Sequence, residues 1–274
     1  MSAFERPNAL VRLLRVPGLI VFAILLHLLP QMFAGSRMAN AIEGALGRYA
    51  LPEGRSFLSG FIELMMDHPS LGPTHANITF TAMIGTLVVW WLILAGVLHH
   101  LREPGTGGRI LSRGFAGLPR ILVVSLWHWP LRLLLVGVPI AIGRKLDMGS
   151  SASIGIVLGL IALFYCTSAL DLARCQAVLY RSRPYRFGVA WSGFVQALRQ
   201  PGFLVPSMLL GLAQWAAAVA ALGYGLGNLE ASGSLWTVRA LAALAVVLGL
   251  ARLSVAVGAG PPGRFVIESK ASSE

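Results

Sequence analysis

Six stretches of the chain are nearly unbroken runs of apolar residues, set apart by segments rich in arginine, glycine and proline. The runs cover residues 16–33, 78–98, 121–142, 153–170, 203–222 and 235–257. At 1.5 Å of rise per residue, each can cross a hydrocarbon layer of about 30 Å. The pattern predicts an all-α fold, a polytopic helical membrane protein with about six transmembrane helices forming one domain over residues 1–257. The third run is the least clean. Its span starts either near Ile121 or near Pro130, because Pro130 removes a backbone hydrogen bond and can kink a helix.

The segments between the runs carry a second, weaker pattern. Residues 38–49 and 56–67 mix apolar and polar positions at helical spacing. In the latter, Phe57, Phe61, Leu64 and Met65 form one face, predicting short helices lying on the outer surface. Over 185–200, Phe187, Trp191, Phe194 and Leu198 recur at three- and four-residue steps, while Arg186, Gln196, Arg199 and Gln200 fall on other faces. This predicts an amphipathic helix on the inner leaflet, ended by Pro201, whose arginines meet anionic lipid headgroups. Residues 258–274 begin Gly-Ala-Gly-Pro-Pro-Gly and are expected to form a disordered tail.

Composition agrees with a membrane class. Of the 274 residues 56% are hydrophobic and 12% charged, against about 25% charged in a soluble domain. The net charge of +11 raises a nucleic-acid reading, which the distribution of that charge excludes. With the N-terminus inside, fifteen basic residues fall in the inner segments: Arg6, Arg12 and Arg15, then Arg102, Arg109, Arg113 and Arg120, then Arg174, Arg181, Arg183, Arg186 and Arg199, then Arg252, Arg264 and Lys270. Five fall outside: Arg37, Arg48, Arg55, Arg144 and Lys145. That bias follows the positive-inside rule and predicts cytoplasmic termini in a cell inner membrane. Twenty arginines against two lysines suggest a GC-rich bacterial genome. Ala39-Asn40-Ala41 offers a cleavage site behind the first run, but an 18-residue run exceeds the usual apolar core of a signal peptide, about 7–15 residues, so an uncleaved span is expected.

Four elements carry a family resemblance: Phe-Ile-Glu-Leu-Met-Met-Asp-His-Pro at 61–69, Phe115-Ala-Gly-Leu-Pro-Arg120 before the third span, Asp171-Leu-Ala-Arg174 at the end of the fourth, and Arg199-Gln-Pro201. The layout resembles a group of uncharacterised bacterial six-span integral membrane proteins. That group is similar to the membrane domain associated with glycerophosphodiester phosphodiesterases. The resemblance implies the topology and no established chemistry. No soluble phosphodiesterase domain is read in the chain, so that activity is not expected.

Candidate chemistry is confined to a few polar residues within or beside the spans. His128 and Arg132 are four apart and share a helix face, with Ser125 three before. An arginine at a helix centre costs about 2.5–3.5 kcal/mol and demands a partner. One reading is a site for an anion or lipid headgroup; the other puts Arg132 near the headgroups of a span that starts at Pro130. Asp171 can pair with Arg174 along its own helix, or with Arg132 or Arg239 from another. Arg239, near the start of the sixth run, can also snorkel outward or pair with Glu230. His27 with Gln31, and Gln214, suit interhelical hydrogen bonds, and Gly155-x-x-x-Gly159 suits close helix packing. Cys166 and Cys175 lie nine residues apart on one predicted helix, too far for a disulfide.

No cofactor or metal site is expected, since His99-His100, Asp67-His68 and His75 match no standard ligand spacing. The resulting expectation is a non-enzymatic accessory or scaffold protein embedded in the lipid bilayer, with a protein partner or homo-oligomer and no nucleic acid. A permease or lipid-handling subunit using Arg132 is the alternative, and a membrane-embedded enzyme using His128 a third class.

Overall fold

A computed structural model describes residues 9–46, 66–67, 69, 71–104, 107–145, 150–180, 187–227 and 232–259. Every regular element among them is helical: α1 (Ala9–Leu14), α2 (Pro17–Leu46), α3 (Leu71–Arg102), a 3-10 turn (Gly107–Arg109), α4 (Ile110–Lys145), α5 (Ser150–Leu179), α6 (Phe187–Arg199), α7 (Pro201–Gly227) and α8 (Ser232–Gly258). Five helices contain stretches long and apolar enough to cross a membrane: Gly72–Arg102, Ile110–Ile142, Ile154–Leu179, Pro201–Ala221 and Trp236–Gly258. Helices suit that setting because hydrocarbon offers no partner for an unpaired backbone group. Their outer faces are apolar as well. Leu126, Leu133, Leu134, Ile154, Val205 and Leu209 are all exposed, which lipid rather than water accommodates. The chain is an all-α, polytopic membrane protein.

Several expected boundaries are corrected. The first apolar run and residues 38–46 of the surface helix expected at 38–49 belong to one helix, α2, of 30 residues with Pro30 inside it, and 47–49 lie outside the described residues. Nothing between Phe33 and Leu46 breaks it. Its described apolar stretch, Pro17–Pro30, is shorter than the other five. The helix expected at 56–67 lies outside the described residues except for helical Met66 and Asp67. Neither Ile121 nor Pro130 starts the helix of the third span, because α4 runs 36 residues from Ile110 through Pro119, Pro130 and Pro139. Each proline deletes one hydrogen bond, a loss that a long helix survives as a bend. The helix of the fourth span does not stop at Leu170 but continues to Leu179. Pro201 does more than end α6. It opens α7, at the first helical position where its missing N–H costs nothing, and the Gln200 carbonyl accepts from the amides of Phe203 and Leu204, both at 2.9 Å.

The chain divides into two compact units. The first comprises residues 1–16, 92–211 and 251–274. Its core includes Leu98, Leu101, Ile121, Val124, Leu172, Ala173 and Ala177. Glycines set the helix spacing there. A Cβ at Gly96 of α3 would overlap the Ile110 carbonyl of α4, and one at Gly159 of α5 would lie 2.7 Å from Ile140 Cγ1 of α4. A Cβ at Gly193 of α6 would lie 2.8 Å from the Ala169 carbonyl and from Ala173 Cβ, both of α5. Helix α6 therefore packs on α5 through Ala190, Gly193, Phe194 and Ala197. The apolar stripe expected from spacing is split. Phe194 turns inward, while Trp191 and Leu198 stay 53% and 64% exposed. Small residues win the buried side because they let two backbones approach closely.

The second unit comprises residues 17–91 and 212–250. His27 of α2 meets Trp90 of α3 edge-on, with ring centroids 5.2 Å apart. Gln214 of α7 closes against Gly249 of α8, where an added Cβ would lie 2.9 Å from Nε2.

Candidate functional site

The polar interior of the first unit is organised by the second half of α5. Ser168, Asp171, Arg174 and Gln176 lie within a helix otherwise almost wholly apolar, and each engages a neighbouring helix. Asp171 is 1% exposed. Its Oδ2 accepts a hydrogen bond from Arg252 Nε of α8 at 2.7 Å. Its Oδ1 lies 3.8 Å from Arg174 Nη1, one turn further on. The Arg174 guanidinium turns away to donate from Nε and Nη2 to Ser125 Oγ of α4, at 3.2 and 2.9 Å. The Ser125 hydroxyl in turn donates to the Ile121 carbonyl at 2.7 Å. One polar chain thus links α4, α5 and α8. Gly211 of α7 completes the enclosure, since a Cβ there would sit 3.6 Å from Arg252 Nη1.

Charge explains why α5 can carry these residues inside a span. An isolated buried ion is expelled from low dielectric, whereas an ion with a close, hydrogen-bonded partner is tolerated. Asp171 offsets one of its two cations, so the cluster keeps one net positive charge. Arg174 and Arg252 side chains remain 14% and 16% exposed, which eases that surplus.

Further polar contacts radiate from the same helix. Ser207 of α7 donates to Ser168 Oγ at 2.9 Å. Gln176 Nε2 donates to Gln196 Oε1 of α6, and Ser192 donates to Gln176 Oε1 at 3.1 Å. Tyr165 donates to the Phe194 carbonyl at 2.8 Å. Such interhelical bonds hold helices together in lipid, where apolar burial supplies little driving force between them.

The residues singled out from sequence separate into distinct environments. Asp171 and Arg174 pair as the spacing suggested, and Arg252 joins them. His128 is buried and stacks on Phe194, with centroids 4.6 Å apart. Neither of its ring nitrogens makes a well-formed hydrogen bond among the described residues, the Ala190 backbone of α6 being its one polar neighbour, and no bond joins it to Asp171. Arg132 is exposed. Among the described residues it makes no hydrogen bond or ion pair, but its charge is felt at Arg174, so it stands beside the cluster rather than in it. Arg239 belongs to the second unit, its guanidinium 5.4 Å from the Trp236 ring centroid. Cys166 and Cys175 are buried free thiols. Among the described residues no three His, Cys, Asp or Glu side chains converge as metal ligands would.

Arg252 is the residue the sequence pattern undervalued. Counted as an inner positive charge, it also stands inside the apolar run 235–257, flanked by Ala251 and Leu253. An arginine so placed needs an internal partner, and that was its signal. The fold and the site define a multi-pass helical membrane protein whose buried charges are partnered between helices. The chain matches no protein-family model, no curated protein and no solved structure.

Proposed function

We propose that the chain is a non-enzymatic accessory or scaffold protein of a bacterial inner membrane, crossing it six times with both termini in the cytoplasm. The observation that carries this reading is the closure of the Asp171 cluster. Its carboxylate bonds Arg252 and faces Arg174, and Arg174 is held by Ser125. Ions partnered in this way fix helix positions, whereas a transport path keeps polar groups free for its solute. An enzymatic reading needs an acid or base poised beside His128, and Asp171 is engaged elsewhere.

The topology is supported by the one-sided arginine distribution and by the length of α2, 30 residues. Green fluorescent protein fused to the C-terminus should fluoresce, and alkaline phosphatase fused within residues 47–65 should be active. An inactive phosphatase or a dark, exported C-terminus rejects six crossings. For the scaffold role, in-cell cross-linking followed by purification in mild detergent should yield an assembly of fixed stoichiometry, either with one protein or with copies of the chain. Uncross-linked monomer throughout is incompatible with it.

A second reading, a lipid-handling subunit, is favoured by Arg132 alone. An exposed, unpaired guanidinium on the α4 span calls for a headgroup or water as partner. Lipid transfer between liposomes tests this, and activity unaltered by Arg132→Ala rejects it.

A further inference from the structure

The first unit holds a small cationic hollow, distinct in its residues from the Asp171 cluster and independent of either functional reading. It measures about 230 Å³ and is lined by His99, Arg113, Ala116, Gly117, Arg120, Val178 and Leu179. At roughly 30 Å³ per water, it holds about eight water volumes, enough for one tetrahedral oxyanion with part of its hydration.

Its construction follows from α4. Arg113 and Arg120 are seven residues apart and so share one helix face, two turns from each other. Between them stand Ala116 and Gly117, whose small size leaves the hollow open. Gly117 has no room for a side chain, since an added Cβ would overlap Ala95 Cβ of α3. His99 contributes from the last turn of α3, and Val178 and Leu179 from the last turn of α5.

The guanidiniums are braced but not used up. Arg120 Nη1 donates to the Ala177 carbonyl at 3.3 Å, and the neighbouring Arg102 donates to the Leu179 carbonyl at 3.2 Å. These bonds occupy carbonyls at the α5 C-terminus that have no partner within the helix. A guanidinium has five N–H donors, so most of those on Arg120 remain. Arg113 Nη1 is shielded from solvent and makes no hydrogen bond. Its ion pair with Glu103 spans 3.9 Å, beyond hydrogen-bond reach. A shielded donor without an acceptor is destabilising, and an anion in the hollow would remove that penalty.

We propose that this hollow binds a phosphate group, as a phosphodiester lipid headgroup or as free phosphate. Arginine is the side chain whose planar fork matches phosphate oxygens two at a time. Two such forks with an imidazole surround a tetrahedral anion better than a flat carboxylate.

The test uses the full chain in nanodiscs of phosphatidylcholine with and without phosphatidylglycerol, and in detergent with inorganic phosphate. Bound phospholipid is counted by native mass spectrometry, and affinity for inorganic phosphate is read by thermal shift. Wild type should retain at least one phosphatidylglycerol, or be stabilised by phosphate. Arg113→Gln/Arg120→Gln should lose at least tenfold in whichever is bound. Ala116→Leu alters an exposed residue and keeps both charges, and should lose as much by filling the hollow. Arg239→Gln removes a charge in the second unit and should change nothing. Phosphatidylglycerol retention without a phosphate response assigns a lipid headgroup, and the reverse assigns the free anion. Equal binding by wild type and Ala116→Leu, or an equal loss in Arg239→Gln, overturns the proposal, as does absence of both ligands from wild type.

Discussion

Replacing Asp171 by Asn tests whether the buried cluster holds the helices by charge. The wild-type cluster has one carboxylate and two guanidiniums, so it carries one net positive charge. Asp171→Asn raises this to two, with Arg174 and Arg252 facing each other across a neutral amide. Charges 4 Å apart interact by about 4 kcal/mol at an effective dielectric of 20, close to the 3.8 Å between Arg174 and Asp171. Removing one partner from a buried pair costs about 3–5 kcal/mol. Asn keeps an oxygen that can accept from Arg252 Nε, so the expected loss lies near the lower end, about 3 kcal/mol. Arg252→Met also removes a partner, the donor at 2.7 Å, but it leaves Asp171 facing Arg174 at 3.8 Å and the cluster neutral, so it should cost less than Asp171→Asn. The double variant should be more stable than Asp171→Asn alone, because it returns the cluster to one net positive charge. Denaturation in detergent micelles, followed by tryptophan fluorescence, gives the four stabilities of the cycle. The reasoning fails if Arg252→Met is the more damaging single change, or if the two losses simply add.

Three further outcomes follow from the packing. His128→Phe keeps the stack on Phe194 and removes buried ring nitrogens whose polar neighbour is the Ala190 backbone, so stability should hold within about 1 kcal/mol; a clear drop in melting temperature would show that this contact holds the ring. Gly193→Leu should lower stability by about 1–3 kcal/mol through overpacking, since its Cβ would already stand 2.8 Å from Ala169 and Ala173 of α5, and unchanged thermal unfolding would contradict the α5–α6 contact. Arg132→Ala should leave stability within about 0.5 kcal/mol, as expected for a side chain that engages no other, whereas a clear drop in the denaturation midpoint would place Arg132 in an internal pair.

How much was legible from sequence varies residue by residue. Asp171 with Arg174 could be read from spacing, because the helix itself brings positions three apart together. Arg252 could not be assigned to them, since its partner lies 81 positions earlier and only the packing of α8 beside α5 joins the two. His128, Ser125 and Arg132 share a nominal face, yet two are buried and one exposed. A face about 100° wide includes both the centre and the edge of a contact, and the neighbour decides which residue sits where. For the same reason Trp191 and Leu198 of α6 point outward although their spacing marks a core stripe.

The sequence by itself determined the class and which segments are apolar enough to span, because the bilayer imposes one rule on every segment: apolar length with an internally satisfied backbone. It determined five helices that meet that rule and a sixth candidate in α2. Tertiary structure alone decided how far the helices extend and which polar groups meet. Helix α5 continues through two charges to Leu179, and α4 through three prolines to Lys145. The reason is energetic: an ion within a span is costly alone and tolerable beside the right partner, and Asp171 and Arg174 find theirs in Arg252 and Ser125, on helices distant in sequence.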